Sequence, residues 1–326
     1  MRAAPQYNAA MRICSFLPAA TEMLFALGLG DDVVAVSHEC DYPAEALSRP
    51  RVTTSLIQPE RLTSAEIDAA VSKAFVEGRA SYRVDMDVLT AARPDLIVTQ
   101  DLCVVCAIGG SEVRQAAACL ESQPRLVSLD PHSVSDVIDC VRTLGEVAGV
   151  ATRAGQLAAD MEARVAAAWA AAAAAPRPRV LCLEWMDPPW IAGHWMPEVV
   201  QLAGGADALA RAGEPSRRAT WDEIADAAPE VAIIMPCGFG VERTLAEIGV
   251  LETIPQLARI PAFATGRAHV VDGSNYFNRP GPRIVDGIEL LGAIIHPEIF
   301  PGRAATGCKV QLTARGGRHE VRAVAP

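Results

Sequence analysis

The feature that most limits what this chain can fold into is the alanine-rich run from Thr152 to Ala174. Alanine is the strongest helix former. Leu157, Met161, Val165 and Trp169 recur every four residues within it, which places the larger apolar groups on one stripe of a helix. Pro176 and Pro178 end the run, because proline lacks an amide hydrogen and its ring clashes with the preceding turn. At roughly 1.5 Å per residue the helix would be about 35 Å long, the width of a whole domain. Nearly equal lengths of alternating strand and helix pattern lie on either side, so the run reads as a strut between two lobes.

Arg12–Leu17, Val33–Ser37, Asp95–Thr99 and Arg125–Leu129 read as strands before the strut, and Arg179–Glu184, Val231–Met235 and Ala268–Val271 after it. Helical patterns separate them, among them Ser64–Gly78, Ser111–Glu121, Ser133–Val147, Trp221–Ala228 and Pro282–Ile295. Strands alternating with helices predict parallel sheets covered on both faces. The expected fold is therefore α/β, with two Rossmann-like lobes joined by one long rigid α-helix. The boundaries read from the sequence are an N-terminal lobe over 11–149, the linking helix over 150–176 and a C-terminal lobe over 177–300. Residues 301–326 are a tail or an added hairpin.

Composition narrows the function classes. The 326 residues are 51% hydrophobic and 21% charged, enough apolar material for a substantial core. The net charge is −10, Lys73 and Lys309 are the only lysines, and the arginines are scattered, so no basic stripe points to nucleic acid. No apolar run reaches the roughly 18 residues of a membrane-spanning helix, so no membrane insertion is expected. Met11–Gly30 comes nearest to a signal peptide, but Pro18, Thr21 and Glu22 interrupt its apolar stretch. Nine cysteines, an odd number, suit a reducing compartment better than a disulfide framework. These points predict a cytoplasmic protein, with the periplasm as the alternative if the start site is misassigned.

In open α/β sheets, ligands bind in the loops that follow the carboxyl ends of strands. Sorting the chain by that rule places Cys40 after the second strand, Cys103 and Cys106 after Asp95–Thr99, and Cys237 with Phe239 after Val231–Met235. Trp185, Trp190, His194 and Trp195 follow Arg179–Glu184. Four of the five tryptophans fall between Trp185 and Trp221, in a chain with only sixteen aromatic residues. Indole rings in loops suit a large, flat or apolar ligand; the bland alternative is that they pad the core of the second lobe. Cys103-Val-Val-Cys106 is a single CxxC pair, and a structural zinc site needs four ligands. Joined by Cys40 and Cys237 it would make a site for zinc or another soft metal, provided the lobes converge. Cys14, Cys119, Cys140 and Cys182 read as core residues inside strands and helices. No nucleophile elbow, His-Glu-x-x-His pair or phosphate loop occurs, so no catalytic residues are expected and the chain is read as a non-enzyme.

Ser15-Phe-Leu-Pro-Ala-Ala-Thr-Glu22, Leu27-Gly28, Val34–Val36 and Asp41-Tyr-Pro43 together resemble the start of class III substrate-binding proteins of ABC importers, the vitamin B12-binding members above all. Trp195-x-Pro-Glu198-Val-Val-x-Leu-Ala-Gly-Gly205 and Trp221-Asp-Glu-Ile224, followed by Ala-Pro229-Glu and an apolar strand, are similar to that family's second lobe. Cys40-Asp-Tyr-Pro43, Gln100-x-x-Cys-x-Val-Cys-Ala107 and Pro236-Cys-Gly-Phe239 look like a branch without a clear signal peptide. The resemblance spans about residues 12–300 and implies a rigid backbone helix, a cobalamin-like corrinoid held in the cleft between the lobes, and no chemistry. Taken with the residues at the strand ends, it gives expected ligand contacts at Asp41, Tyr42, Trp185, Trp190, His194, Trp195, Phe239, Asn275 and Tyr276. Glu198 matches the family's acidic residue for docking on the permease, a partner if the chain is exported. The alternative is a cytosolic metal-binding or thiol-dependent protein that uses Cys40, Cys103, Cys106 and Cys237 on the same scaffold.

Overall fold

The computed structural model describes residues 11–77, 80–101, 110–300, 308–315 and 318–324. It divides the chain into two units, each with its own sheet. The first takes the chain up to Arg61, then Ala69–Pro131 and Asp136–Asp160. The second takes Leu62–Asp68, His132–Ser135 and everything from Met161 onward.

The first unit contains β1 (Ile13–Ser15), β2 (Val33–Val36), β3 (Thr53–Ser55), β4 (Tyr82–Val84), β5 (Leu96–Thr99) and β6 (Arg125–Ser128). Four of these form a wholly parallel sheet in the order β2-β1-β5-β6. Its central strands β1 and β5 are buried at every residue, as parallel strands covered on both faces must be. β3 and β4 form a separate antiparallel pair. Its helices are α1 (Pro18–Ala26), part of α2 (Ser64–Val76), α3 (Met86–Ala92), α4 (Gly110–Ala118), and parts of α5 (Val134–Val147) and α6 (Ala151–Ala172). Pro18 fits the first turn of α1, where no amide hydrogen is needed. Asp85 caps α3, its carboxylate accepting from the amides of Asp87 and Val88 at 3.1 and 3.0 Å. Cys14, Phe16, Ala35, Val52, Leu89, Ile97 and Val113 build the core beneath these helices.

The chain crosses from the first unit to the second within α6, the alanine-rich helix. Its buried residues are Ala154, Ala158, Met161, Ala168 and Ala172. A strict four-residue spacing drifts by about 40° at each step of a 3.6-residue helix. The expected stripe through Leu157 and Val165 therefore rotates out of the core by Trp169, which is 39% exposed and carries the Arg177 guanidinium over its ring at 4.6 Å. The true stripe is mostly alanine, and it lets the helix lie close to its neighbours. A Cβ on Gly145 of α5 would sit 2.1 Å from that of Ala154. In the second unit, Arg164 pairs with Asp286 at 2.6 Å and with Glu289 at 2.9 Å.

The second unit holds β7 (Arg179–Met186), β8 (Pro189–Ile191), β9 (Ala206–Asp207), β10 (Arg217–Arg218), β11 (Val231–Ile234), β12 (Ala268–Val270), β13 (Cys308–Arg315) and β14 (Arg318–Val324). The sheet runs β10-β8-β7-β11-β12-β13-β14, with β9 also paired to β7. Its centre, β7-β11-β12, is parallel as expected, but antiparallel strands flank it on both sides. The reason is connection length: a parallel neighbour needs a crossover, whereas the two residues Asp187 and Pro188 return β8 directly beside β7. The segment read as a loop from Trp185 to Trp195 is thus a hairpin in its first half. β13 and β14 pair antiparallel on the sheet edge, and their Val310 and Val321 enter the core with Leu181, Leu183, Ile234 and Phe263. The helices α7 (Met196–Leu202), α8 (Trp221–Ala227), α9 (Val241–Glu247), α10 (Pro261–Ala264), α11 (Gly273–Tyr276) and α12 (Ile284–Ile295) complete the unit.

Candidate ligand-binding site

In the first unit the carboxyl ends of β1 and β2 lead into a buried polar knot. The Thr21 hydroxyl donates to Ser15 Oγ at 2.9 Å and lies 3.0 Å from Cys40 Sγ, which is also 3.1 Å from Ser37 Oγ. Arg51 donates to the carbonyls of Ser37 and Cys40 at 2.9 and 2.7 Å. Cys40 is fully buried. Burial, with Cys40 as a neighbour, pushes the Cys14 thiol far above its ordinary range, which disfavours a thiolate at that position. In this packing the Cys40 sulfur lies among the hydroxyls of Thr21 and Ser37. Cys103 and Cys106 lie outside the described residues. Cys237 is half-buried in the second unit, its amide donating to the Glu184 carbonyl at 3.0 Å. Among the described residues, no group of three or more metal-ligating side chains converges. Asp41 and Tyr42 are exposed beyond the knot.

The second unit gathers most of the remaining expected residues. Trp185 and Trp190 are directly opposed across the β7–β8 hairpin. Trp185 is buried, stacks at a tilt on Phe239 with ring centroids 5.1 Å apart, and donates its indole N–H to the Ser64 carbonyl at 3.1 Å. Trp190 is half-buried, donates to Asp68 at 3.3 Å, and lies under the Arg218 guanidinium, which itself pairs with Asp68 at 2.6 Å. Arg243 covers the Phe239 ring at 4.9 Å and donates to the Leu62 carbonyl. Glu247 accepts from the Ser64 amide at 2.7 Å. Residues 62–68 are therefore held by two indoles, two arginines and a carboxylate of the same unit. None of Leu62, Ser64, Asp68, Arg218 or Arg243 stands out in the sequence, because Ser64 and Trp185 are 121 residues apart and only folding brings them together.

Past β8, Gly193 packs so tightly that a Cβ there would lie 2.4 Å from the Glu214 carbonyl oxygen. His194 follows with φ of 52°, a left-handed conformation that costs a non-glycine residue about 1–2 kcal/mol. Its backbone is pinned at both ends: the amide donates to the Glu214 carbonyl at 2.6 Å, and the carbonyl accepts from the Gly213 amide at 2.9 Å. The imidazole stacks on Trp195, with centroids 5.7 Å apart and 28° between the planes. Its Nδ1 is buried without a hydrogen-bond partner. The His132 ring, absent from the sequence expectations, lies 6.1 Å away at a tilt. Burial and then the neighbouring His132 push the His194 imidazole below its usual range, which keeps it neutral at neutral pH.

Trp195 belongs to the interior, only 6% exposed, with its N–H donated to the Phe277 carbonyl at 2.8 Å. For this ring the core-padding alternative describes what the structure shows. Asn275 is held within α11: it donates to Asp272 at 2.6 Å and accepts from Arg283 at 2.8 Å. Tyr276 is half-buried, edge-on to Phe277 at 6.3 Å. Glu198, at the start of α7, accepts from the Val134 amide at 2.7 Å and so fastens residues 132–135 to the second unit. A second buried orphan is Asp207 Oδ2. The other oxygen of Asp207 accepts from Leu209 and Ala210 at 2.9 and 2.7 Å, and burial outweighs those bonds to raise the carboxyl to about 6.

The model of the family described as "Periplasmic binding protein" matches residues 13–274, and the chain belongs to that family. Its members bind solutes and are not enzymes. The chain is 23% identical over 283 residues to the vitamin B12-binding protein of Vibrio cholerae serotype O1, covering 86% of this chain and 87% of that protein. Among solved structures it is similar to the periplasmic heme-binding protein RhuT from Roseiflexus sp. RS-1 in apo form, with a TM-score of 0.68 and 24% identity over 89% of this chain and 100% of the other. It is also similar to the periplasmic vitamin B12-binding protein BtuF of Vibrio cholerae, with a TM-score of 0.65 and 20% identity over 90% and 99% of the two chains. The two-lobed α/β fold joined by one long helix agrees with these relatives.

Membership overturns the cytoplasmic expectation, since the family and these relatives are periplasmic. Cysteine count was a poor guide to compartment: Cys14, Cys40, Cys140 and Cys182 are buried packing residues, whereas Cys119, expected in the core, is exposed. A small buried apolar residue carries no record of its redox compartment. No helix among the described residues is long and apolar enough to cross a membrane.

Proposed function

We propose that this chain is the solute receptor for a cobalamin-like corrinoid, which it hands to an ABC permease. The observation that carries the reading is the end-to-end match to curated vitamin B12-binding relatives, which extends over 86% of the chain, both units included. The second unit offers support of the right kind. Trp190 and Tyr276 are half-buried aromatic surfaces; Arg218 lies over the Trp190 ring, Asn275 adjoins Tyr276 and is held by Arg283, and the His194 ring stacks on Trp195. A large macrocycle is held by such apolar area plus a few placed polar contacts. Asp41 and Tyr42 of the first unit are exposed and complete the expected set. Glu198 is the proposed permease contact, in addition to its bond to Val134.

Calorimetric titration of the purified protein with cyanocobalamin tests this directly. The expected result is saturable 1:1 binding that quenches tryptophan fluorescence. No heat and no quenching with any corrinoid, together with saturable binding of hemin, would transfer the receptor to the other tetrapyrrole class.

A further inference from the structure

Trp185, Trp190 and Arg218 stand in one row across the second sheet. Trp190 of β8 is the register partner of Trp185 on β7 and of Arg218 on β10. Directly opposed residues of antiparallel strands project from the same face, and the Arg218 guanidinium lies over the Trp190 ring at 5.4 Å. The row therefore runs from a buried indole to a half-buried one and ends on a cation. The first turn of α2 covers it. Ser64 and Asp68 are four residues apart, about one helical turn, and both bring oxygens to the row. The Ser64 carbonyl accepts the Trp185 N–H, while the Asp68 carboxylate accepts from Trp190 at 3.3 Å and pairs with Arg218 at 2.6 Å. The helix does not need the second of these attachments to begin, because Thr63 and Glu66 form a capping box of their own. The Glu66 carboxylate accepts from the Thr63 amide at 2.8 Å, and the Thr63 hydroxyl from the Glu66 amide at 3.3 Å.

The two ends of this turn differ. Ser64 and Trp185 are both buried, so their bond belongs to the fold. At the other end the Arg218 side chain is 48% exposed. An ion pair open to solvent contributes little, so a second anion can replace the first there at small cost. We propose that Arg218 and Trp190 form an anion subsite of the receptor, that Asp68 fills it before ligand arrives, and that the phosphate diester of a complete corrinoid takes its place. The inference rests on the corrinoid reading above and names the part of the ligand that this chain recognises. A phosphate diester, like a carboxylate, carries one negative charge shared by two oxygens, which a guanidinium can bind in a fork. Asp68 turns to solvent as the phosphate enters, and no covalent bond changes.

Calorimetric titration with cyanocobalamin and with dicyanocobinamide, a corrinoid that ends before the phosphate, isolates this contact. Arg218→Gln is expected to weaken cyanocobalamin about tenfold and cobinamide by less than about twofold. Asp68→Ala, a change that a helix accepts, is expected to strengthen cyanocobalamin about tenfold, because the chain no longer fills its own subsite. Cobinamide should again change by less than about twofold. A measurement on the unaltered protein supports these variants: the phosphorus magnetic resonance of bound cyanocobalamin should move from its free position, and Arg218→Gln should abolish the movement. Equal weakening of both ligands by Arg218→Gln, or weaker cyanocobalamin binding by Asp68→Ala, would overturn the subsite and leave the receptor reading standing. A phosphorus resonance that stays at its free position in the unaltered complex would do the same. Failure of the unaltered protein and both variants to bind either corrinoid would remove the receptor reading, and the subsite with it.

Discussion

Cys40 in the first unit and His194 in the second hold comparable places, each in the stretch that follows a strand. Cys40 is fully buried, and its sulfur lies within 3.1 Å of two hydroxyls. His194 is half-buried on a strained backbone, with a buried ring nitrogen that has no hydrogen-bond partner. Both were singled out for the same reason, as polar or reactive side chains where ligands bind. The contrast teaches that position relative to a strand end selects candidates, and hydrogen-bond satisfaction separates them. A satisfied group is explained by the fold; a buried unsatisfied one needs a further reason.

The largest effect is expected from Trp195→Ala, because this indole is satisfied like Cys40 although it neighbours His194. Removing a buried indole and its bond to Phe277 should cost about 3–5 kcal/mol, measured by denaturant unfolding. A loss under about 1 kcal/mol would mean that Trp195 faces ligand and not core. Next comes Asp207, which also carries a buried side-chain oxygen without a hydrogen-bond partner. Its folded-state carboxyl titrates at about 6 against an ordinary 3.8, so the native state binds more protons than the unfolded chain between those values. Stability should therefore fall as pH rises from about 4 to about 6, by on the order of 2 kcal/mol. Asp207→Asn should flatten that slope in pH-dependent unfolding.

A smaller effect is expected at Cys40. Cys40→Ala should lower stability by about 1–2 kcal/mol through lost packing and lost hydroxyl contacts, with corrinoid affinity unchanged. A thiol reagent should modify Cys40 only after unfolding. Rapid modification of the native protein, seen by mass spectrometry, would return Cys40 to the list of functional groups. The smallest stability change belongs to His194→Gly. Relief of the left-handed backbone and loss of the stacked ring should nearly offset each other, within about 1 kcal/mol by thermal melting. The same change is expected to be the most damaging of the four to ligand binding. A variant that matters least for folding and most for binding would sharpen the contrast with Cys40.

The alanine run and the alternation of apolar segments made the long helix and the α/β class legible, since both are local patterns with a fixed period. The helix observed, Ala151–Ala172, starts one residue before the expected run and stops two short of it. The buried stripe was legible only in part. Met161 lies on it, but spacing alone could not show that the stripe follows alanines and turns Trp169 outward. The antiparallel flanks of the second sheet were not legible either. Pro188 and Pro189 read as a loop signal, while the pairing of Trp185 with Trp190 depends on β7 extending through Met186.

By itself the sequence determined the two-part α/β organisation, the helix between the parts, and the segment from Trp185 to Trp195 as the place to look. Each rests on periodicity or on composition within a few tens of residues. The tertiary structure alone decided which of those side chains are spent on the fold. Trp185 closes on Ser64 across 121 residues, and Cys40 meets Thr21 across 19, whereas His194 meets His132 and keeps one nitrogen unpaired. Satisfaction is a property of partners distant in the chain. A sequence lists donors and acceptors, and only the folded chain pairs them.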